Sequence, residues 1–256
     1  MLAAGMAHAK RAAIPAWDTC RADSEGEARR LLERACDAVG GRSAWLELPP
    51  VAASLIQEWS ALAESWRPPM PEADARFTVH FEQDKARVDF SDPAGTCWAH
   101  DSREGWSGAR GRRTYTHAAQ AHLMVPTFKW FAAMPHKLLD PSAEHRLWRA
   151  PDRNRGGQVL VRFGTDNGQT GDQMLATLSP TDQRILRLTF TARELDAQVV
   201  GSAHFERWQP VGGLTLPSKV TVDLNAPVEV AEAQQLRFEG WRTIRVPDDF
   251  FEKPQQ

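Results

Sequence analysis

The sequence predicts a mainly β protein of the α+β class, in which one large antiparallel sheet curls around helices. Apolar residues recur at every second position in runs between residues 54 and 107 and between 159 and 238, which is the period of a strand with one buried face. Loops of turn length join these runs, so consecutive strands pair antiparallel, because parallel pairing needs a crossover of about a dozen residues. A sheet of roughly ten strands must curl, with an apolar concave face and a polar convex face.

The composition is that of a soluble globular protein without a strong electrostatic partner. The 256 residues include 31 lysines and arginines against 33 aspartates and glutamates, a net charge of −2, so the chain offers no general attraction to nucleic acid. No apolar run reaches the roughly 18 residues of a membrane-spanning helix. Ten Trp and 11 Phe stand against one Tyr, which indicates that the aromatic side chains build a large apolar interior.

The amino terminus is interpreted as the remnant of an export signal or as a flexible tail over residues 1–23, followed by one domain over residues 24–256. Ala7-His8-Ala9 has the small-x-small pattern that signal peptidases prefer. We therefore expect a periplasmic or secreted protein.

The three cysteines are Cys20, Cys36 and Cys97. Their spacing matches no metal-binding motif, and one pair could form a disulfide in the periplasm. We expect no metal and no cofactor.

The first predicted helix begins at residue 24. Ser24-Glu25-Gly26-Glu27 is a capping box, in which the Ser24 hydroxyl accepts the Glu27 amide and the Glu27 carboxylate accepts the Ser24 amide. Gly40-Gly41 supplies the left-handed residue that ends the helix. The apolar face has helical spacing and consists of Ala28, Leu31, Leu32, Ala35 and Val39.

The first strands are predicted on both sides of a proline-rich segment at residues 67–71. A strand is predicted from Ser54 to Trp66. It ends before the proline-rich segment, because prolines cannot donate the hydrogen bonds that a sheet ladder needs. A second hairpin spans residues 96–107, with Trp98 and Trp106 on either side of a polar turn. The first hairpin has one face built from Phe77, Val79, Phe81, Ala86, Val88 and Phe90.

The segment from His117 to Leu139 interrupts the alternation. Its apolar residues are spaced as on helix faces, while Pro126 and Pro135 divide it into short pieces. It is predicted to form two short helices, or one helix and a structured loop. After an arginine-rich segment at 146–155 the strands resume, with faces formed by Val159, Val161 and Phe163, by Met174, Ala176 and Leu178, by Leu186, Leu188 and Phe190, and by further runs up to Phe238.

Four sequence segments, taken in order, carry a family resemblance. They are Gly40-Gly41-Arg42-Ser43-Ala44-Trp45, the segment Phe131–Pro141, the segment 171–181 (Gly-Asp-Gln-Met-Leu-Ala-Thr-Leu-Ser-Pro-Thr), and the segment Arg207–Pro217. Together they resemble an uncharacterised bacterial family of the periplasmic lipoprotein-carrier (LolA/LolB-like) superfamily. The resemblance spans about residues 24–254 and implies an unclosed β-barrel whose concave face, lidded by helices, holds acyl chains. One departure is His136, where relatives tend to carry Phe after Met-Pro.

The first functional hypothesis is a non-catalytic binding protein for an apolar ligand. The sheet and the insertion together offer more apolar surface than one helix covers, and an aromatic-lined cavity stays dry and receptive. The ligand would be a lipid or an acylated protein, bound by a monomer. Each lining residue could instead pack the core. The residues expected to line the cavity are Phe77, Val79, Phe81, Val88, Phe90, Trp98, Trp106, Phe128, Trp130, Phe131, Met134 and Leu138.

The alternative hypothesis is a hydrolase. His100 and Asp101 lie on a predicted turn, and His136, Asp140 and His145 follow the insertion, where loop residues could act as acids and bases. His136 and Asp140 could also hold a metal on a helix, although the neighbouring prolines favour a turn there. No nucleophile motif accompanies these residues, so solvated polar side chains are the simpler interpretation.

Basic residues give a third, weaker hypothesis, a nucleic-acid surface at residues 110–113 or 146–155. Basic clusters of this size are usually solvated loops, and we expect no nucleic-acid partner. Arg162 shares a strand face with Leu160, so it either rests on the outer surface or points its guanidinium at a ligand carbonyl.

Overall fold

In the part of the chain that the structure describes, the fold is a single open sheet of thirteen antiparallel strands with three α-helices, which confirms the predicted class. The computed structural model describes residues 14–67, 69–71, 76–82, 85–101, 103–109, 112–114, 116–152, 154–164, 170–191, 199–226 and 229–253. The helices are α1 (Glu25–Asp37), α2 (Gly41–Leu46) and α3 (Ala118–Ala132). The strands are β1 (Val51–Trp59), β2 (Arg76–Glu82), β3 (Lys85–Phe90), β4 (Thr96–His100), β5 (Gly105–Ala109), β6 (Arg112–Thr114), β7 (Ala143–Arg149), β8 (Gln158–Gly164), β9 (Thr170–Leu178), β10 (Ile185–Thr191), β11 (Val200–Val211), β12 (Leu214–Ala226) and β13 (Val230–Thr243).

The sheet consists of two arms that meet at its centre. The spatial order is β6-β5-β4-β3-β2-β1-β13-β12-β11-β10-β9-β8-β7. All paired strands are consecutive in sequence except β1 and β13, which pair at the centre of the sheet. We call β1–β6 the first arm and β7–β13 the second arm. The chain leaves the edge of the first arm at β6, passes through α3 and enters the edge of the second arm at β7. The helical insertion therefore joins the two edges, and α3 packs against β3, β4 and β5 of one arm and β12 of the other.

The insertion forms one continuous helix followed by a 3₁₀ turn at His136–Leu139, which is the second of the two predicted alternatives. The expected break at Pro126 is wrong, because α3 runs through it. A proline inside a helix costs about 3 kcal/mol. Nearby, the Thr127 hydroxyl donates to the Leu123 carbonyl at 2.8 Å. Burial of Phe128 and Phe131, which are 0% and 3% exposed, offsets that cost.

The predicted capping box at the start of α1 is wrong, although the helix begins at Glu25 as expected. The Ser24 hydroxyl donates to the Arg21 carbonyl and accepts the backbone amide of Leu147 in β7 at 2.9 Å. Glu27 pairs with Arg21 instead of returning to the helix start. The buried amide of Leu147 needs an acceptor. The Ser24 hydroxyl therefore accepts this tertiary hydrogen bond and does not cap α1.

The end of α1 is attached to the β11–β12 hairpin. Gly40 and Gly41 have φ values of 113° and 87°, in agreement with the predicted helix end. A Cβ at Gly40 would lie 2.5 Å from the carbonyl oxygen of Gly213. The Thr215 amide donates to the Val39 carbonyl at 2.9 Å. Only glycine fits this approach, and α2, which the sequence did not predict, begins directly after it.

Several strand boundaries differ from the predictions. β1 ends at Trp59, and a 3₁₀ turn at Glu64–Trp66 occupies the end of the expected strand. β7 includes part of the arginine-rich segment. A register shift between Ile185 and Arg187 buries Ile185 and leaves Leu186 47% exposed, contrary to the predicted face.

The convex face is less polar than predicted, because the amino-terminal segment covers part of it. Ile14, Trp17 and Cys20 pack with Leu160 and Leu175 on that face of the second arm. Part of the predicted tail therefore packs against the sheet, whereas residues 1–13, with the expected Ala7-His8-Ala9 cleavage pattern, lie outside the described residues.

The outward orientation of Arg162 follows from its contacts. Its guanidinium lies 4.3 Å from the ring centroid of Trp17 and pairs with Glu144. Arg146 lies over the same ring at 4.7 Å. Arg162 is therefore an outer-surface residue, as in the first of its two interpretations. Across the described ranges, no helix has the length and apolar character needed to cross a membrane.

Candidate functional site: a cleft at the edge of the concave core

The concave face and the helices build one continuous apolar core. Of the twelve residues predicted to line a cavity, ten lie in this core or pack against it. They come from β2, β3 and β4 and from the insertion, so the sequence periodicity identified residues that the fold brings together. The ten residues are Val79, Phe81, Val88, Phe90, Trp98, Phe128, Trp130, Phe131, Met134 and Leu138.

Trp106 is not among them. In the β4–β5 hairpin Trp98 pairs with Ser107 and Ala99 pairs with Trp106, so the two tryptophans face opposite sides of the sheet. Trp106 packs with Cys97 and Ala99 on the convex side. The predicted place of Trp106 in a concave cavity is wrong. The face on which a side chain lies depends on its cross-strand partner in the hairpin, and not on how close the residue is to the turn.

The carboxyl-terminal segment covers this convex cluster. The Trp106 indole donates to the Phe251 carbonyl at 3.3 Å, and Phe251 is 1% exposed. The last of the twelve residues, Phe77, pairs with Phe90 through its backbone, while its side chain lies outside the described residues.

The core is densely packed where α3 meets the sheet. The ring centroid of Phe131 lies 6.1 Å from that of Phe190 and 6.4 Å from that of Phe205, both in the second arm. Trp98 meets Phe90 edge to face at 4.9 Å in the first arm. Most of the predicted lining residues therefore pack the core in this structure.

A cleft of about 400 Å³ lies beside the carboxyl-terminal half of α3. This volume falls within the range of about 300–1,000 Å³ that is typical of small-ligand sites. Ala86 belongs to the apolar core, and Trp130 and Phe163 pack against it. The cleft thus borders the apolar core where the two arms and the insertion meet. Its walls are formed by Ala86, His100, Pro126, Lys129, Trp130, Lys137, Asp140 and Phe163.

Two lysines and one aspartate give the cleft its charge, and sequence reasoning missed both lysines. Lys129 is only 5% exposed. The Asp140 carboxylate accepts the Ser142 amide at 2.9 Å and the Ser142 hydroxyl at 2.7 Å. Burial raises the pKa of Asp140, but these hydrogen bonds and the charge of Lys137 outweigh it and lower the pKa below its ordinary value. Asp140 is ionised at neutral pH.

His100 contributes a neutral polar edge to the cleft. Its ring centroid lies 5.7 Å from that of His122, whose Nδ1 accepts the Gly105 amide at 3.2 Å. Burial, and then the charges of His122 and Lys129, lower the pKa of His100. The imidazole therefore carries no charge at neutral pH.

The residues of the hydrolase hypothesis are not assembled into one site. His136 and His145 are buried in the core, where His145 Nε2 lies 2.7 Å from the Leu138 carbonyl oxygen. The Asp101 carboxylate accepts two amides of its own turn, each at 3.1 Å. Only His100 and Asp140 reach the cleft.

The described residues contain neither a candidate metal site nor a disulfide. Among them no group of three or more His, Cys, Asp or Glu side chains is placed to hold a metal ion. Cys20, Cys36 and Cys97 are free and buried, so the disulfide left open by the sequence is absent in this structure. Burial raises the pKa of Cys36 to about 12.

Solved structures with the same architecture identify the fold. A LolA superfamily protein from Nitrosomonas europaea matches with a TM-score of 0.53 at 13% identity, over 88% of this chain and 97% of that chain. The chain has a LolA-like fold. A domain from Vibrio parahaemolyticus described as an outer membrane lipoprotein-sorting protein has the same TM-score at 9% identity, over 89% of this chain and 97% of that chain.

A third structure agrees, a DUF1329 family protein from Desulfovibrio piger, with a TM-score of 0.53 at 12% identity over 90% of this chain and 98% of that chain. No protein-family model matches the sequence, and no curated protein matches it. The predicted resemblance is thus confirmed as a LolA-like fold.

Within the LolA-like fold, the first of the four resembling segments contacts the second and the fourth. The Arg42 guanidinium donates to the Leu139 carbonyl at 3.0 Å, which joins the first segment to the second. Gly40 of the first segment touches Gly213 of the fourth. These three segments therefore meet at one packed junction that follows α1.

Proposed function

We propose that this protein is a non-catalytic periplasmic binding protein for an apolar ligand, either a lipid or the acyl chain of a lipoprotein. The cleft is the observation that carries the proposal, because its apolar walls continue into the core enclosed by the sheet and α3. The lipoprotein-sorting description of the Vibrio parahaemolyticus domain supports this ligand class.

The insertion, α3 with its 3₁₀ turn, would act as a lid over the concave face. α3 lies between the arms without taking part in the strand ladders, and it is held mainly by apolar side chains such as Phe128 and Phe131. A shift of α3 would leave the strand pairing of both arms intact. An acyl chain entering at the cleft would then extend along apolar surface that Phe131 and Met134 now cover.

Energy transfer from tryptophan to a bound probe tests the proposal. Dansyl-undecanoic acid should show saturable dansyl emission on excitation of the protein. Trp130→Ala removes a cleft wall and should weaken probe binding on the order of tenfold, since it deletes a large apolar contact.

Trp148→Ala is the matched control. Trp148 is also a half-buried tryptophan, but it packs against the cluster of Cys20, Leu160 and Leu175 on the convex face. Its substitution should leave probe affinity unchanged. An absence of saturable emission, or equal losses in the two variants, would contradict the proposal.

A further inference from the structure

We infer that the convex face of the first arm is a docking surface for a peptide segment of another protein, and that the chain's own residues 247–253 occupy this surface in cis. The segment seated there defines the chemistry of the partner, which carries two adjacent aromatic residues followed by an acidic and a basic residue. This inference goes beyond the proposed function, because it concerns the face of the sheet opposite the apolar core.

The docking surface is assembled by strand register. His80 of β2 pairs with Arg87 of β3, Arg87 pairs with Ala99 of β4, and Ala99 pairs with Trp106 of β5. Directly paired residues point to the same face of a sheet, so these side chains share the convex face. Lys85, two residues before Arg87, lies on that face as well.

Residues 247–253 lie on this face without joining the sheet. They form turns, in which the Phe250 amide donates to the Pro247 carbonyl and the Glu252 amide donates to the Asp249 carbonyl, each at 3.0 Å. In the described part of the chain, no strand pairs with them. Their release would therefore leave every strand pair of the first arm intact.

Two side chains of the surface bind consecutive main-chain carbonyls. The Arg87 guanidinium donates to the Phe250 carbonyl at 2.9 Å, and the Trp106 indole donates to the Phe251 carbonyl at 3.3 Å. Every peptide presents such carbonyls, and main-chain hydrogen bonds are a common source of affinity in peptide recognition.

The surface also favours aromatic side chains at these two positions. The Arg87 guanidinium lies 4.3 Å from the centroid of the Phe250 ring, a cation–π contact. The His80 ring meets the same phenyl ring edge to face, with centroids 5.0 Å apart. The next residue, Phe251, is 1% exposed. Two adjacent aromatic residues are therefore accommodated together.

Two ion pairs of opposite polarity fix the direction of the bound segment. Lys85 pairs with Glu252, and Glu104 in the β4–β5 turn pairs with Lys253. The Glu252 and Glu104 side chains are 48% and 50% exposed, so each pair adds little stability. Their order selects a peptide with the acidic residue before the basic one.

Asp89 holds the surface in shape without any contribution from residues 247–253. One carboxylate oxygen lies 2.9 Å from His80 Nε2, and the other accepts the Arg87 Nε–H at 2.8 Å. Both side chains that contact the Phe250 ring are thus oriented within the β2–β3 hairpin. A preorganised surface loses less conformational entropy when a peptide binds, which distinguishes it from a face that is merely covered.

Fluorescence polarisation with the full chain tests the inference. The probe is a fluorescein-labelled peptide with the sequence of residues 246–253, Val-Pro-Asp-Asp-Phe-Phe-Glu-Lys. The unchanged protein should bind it weakly, because the attached segment competes at a high effective concentration. Phe250→Ala in the protein weakens that competitor and should raise peptide affinity at least tenfold. Arg87→Gln, added to Phe250→Ala, should remove the gain.

Phe163→Ala is the matched control, because Phe163 is also a half-buried phenylalanine but packs against the apolar core on the concave side. It should leave peptide affinity unchanged. A gain of equal size in both variants would show that the peptide binds loosened protein without specificity, and would overturn the inference.

The order of the charges gives a second, independent readout. A peptide with the last two residues exchanged, Lys before Glu, should bind Phe250→Ala several-fold more weakly. Adding Lys85→Glu and Glu104→Lys to that variant should reverse the preference between the two peptides. Equal affinities for both peptides in both proteins would contradict a directional docking surface.

The remaining outcomes also decide the inference. If Phe250→Ala fails to fold, Glu252→Gln, which removes only the ion pair with Lys85, weakens the competitor instead. A folded variant without saturable peptide binding would mean that residues 247–253 are a fixed part of the fold. A concentration-dependent dimer of the unchanged protein, lost in Phe250→Ala and measured by sedimentation, would assign the surface to a second copy of this chain and overturn the assignment to another protein.

Discussion

The indole of Trp45 stacks on the imidazole of His136, with ring centroids 5.0 Å apart and an interplanar angle of 8°. Trp45 belongs to α2 and His136 to the 3₁₀ turn that follows α3. The neighbouring bond from Arg42 to the Leu139 carbonyl reinforces the contact. The carboxyl end of the insertion is therefore anchored to the helix pair, and movement of α3 would leave this end in place.

The burial of His136 makes the stability of the protein depend on pH. Burial, with a smaller effect of Arg42, lowers the pKa of His136 from 6.5 to about 4, and neither ring nitrogen has a hydrogen-bond partner in the described part of the chain. Between pH 6.5 and pH 4, His136 is protonated in the unfolded chain and neutral in the folded protein. The free energy of unfolding should thus fall by roughly 2–3 kcal/mol between pH 7 and pH 4.5 from this residue, as measured by urea denaturation.

His136→Phe should remove this part of the pH dependence, because phenylalanine preserves the ring and cannot be protonated. His204→Gln serves as the control, since His204 is partly exposed and lies 2.9 Å from the Asp223 carboxylate. Equal pH dependence in His136→Phe and the unchanged protein would contradict the assignment.

Phe131 and Phe163 should differ in what they contribute. Phe131→Ala deletes a ring that is 3% exposed and should lower the free energy of unfolding by about 3–5 kcal/mol. Phe163 is a half-buried wall of the cleft, so Phe163→Ala should cost less stability but weaken binding of dansyl-undecanoic acid. Thermal unfolding and probe titration of both variants check this; the reverse pattern would show that the cleft is ordinary core.

Trp106 should not contribute to ligand affinity. It lies on the convex face under the carboxyl-terminal segment, so Trp106→Phe should leave probe affinity within about twofold. The variant loses the hydrogen bond to the Phe251 carbonyl, which predicts a stability loss of about 1 kcal/mol. A tenfold loss of affinity would place the ligand on the other side of the sheet.

Substitution of Gly40 should lower the free energy of unfolding more than substitution of another glycine with positive φ. Gly40→Ala adds left-handed strain and a clash with the Gly213 carbonyl oxygen at 2.5 Å, and should cost about 3 kcal/mol or more. Gly95 has φ 59° with nothing within 4 Å of an added Cβ, so Gly95→Ala should cost about 1–2 kcal/mol. Denaturation of both variants measures the difference, and equal losses would mean that the approach of Gly213 is unimportant.

The sheet was predictable because alternation persists along the chain, and each strand of an antiparallel meander pairs with its sequence neighbour. The same rule placed Val79, Val88 and Trp98 on one face. It failed where the pairing is irregular, as at the shift beside Leu186. It also failed for Trp106, since a hairpin's register decides which residues share a face.

The charged part of the site could not be predicted from local pattern. Lys129 lies on α3 and Lys137 on the following turn, and only the packing of the insertion on the first arm brings them beside His100 and Ala86. Ser24 shows the same limit, because its hydroxyl binds Leu147 of β7 rather than its own helix. A lysine within an apolar helical segment, as at Lys129, is the sequence signal that could have indicated the charged wall of the cleft.

Native mass spectrometry of the full chain, purified gently from cells, tests the central claim most directly. The account predicts a population heavier than the bare chain by the mass of a bound lipid, and a loss of that population in Trp130→Ala but not in Trp148→Ala. A bare mass throughout, unchanged after incubation with dodecanoate, would contradict it.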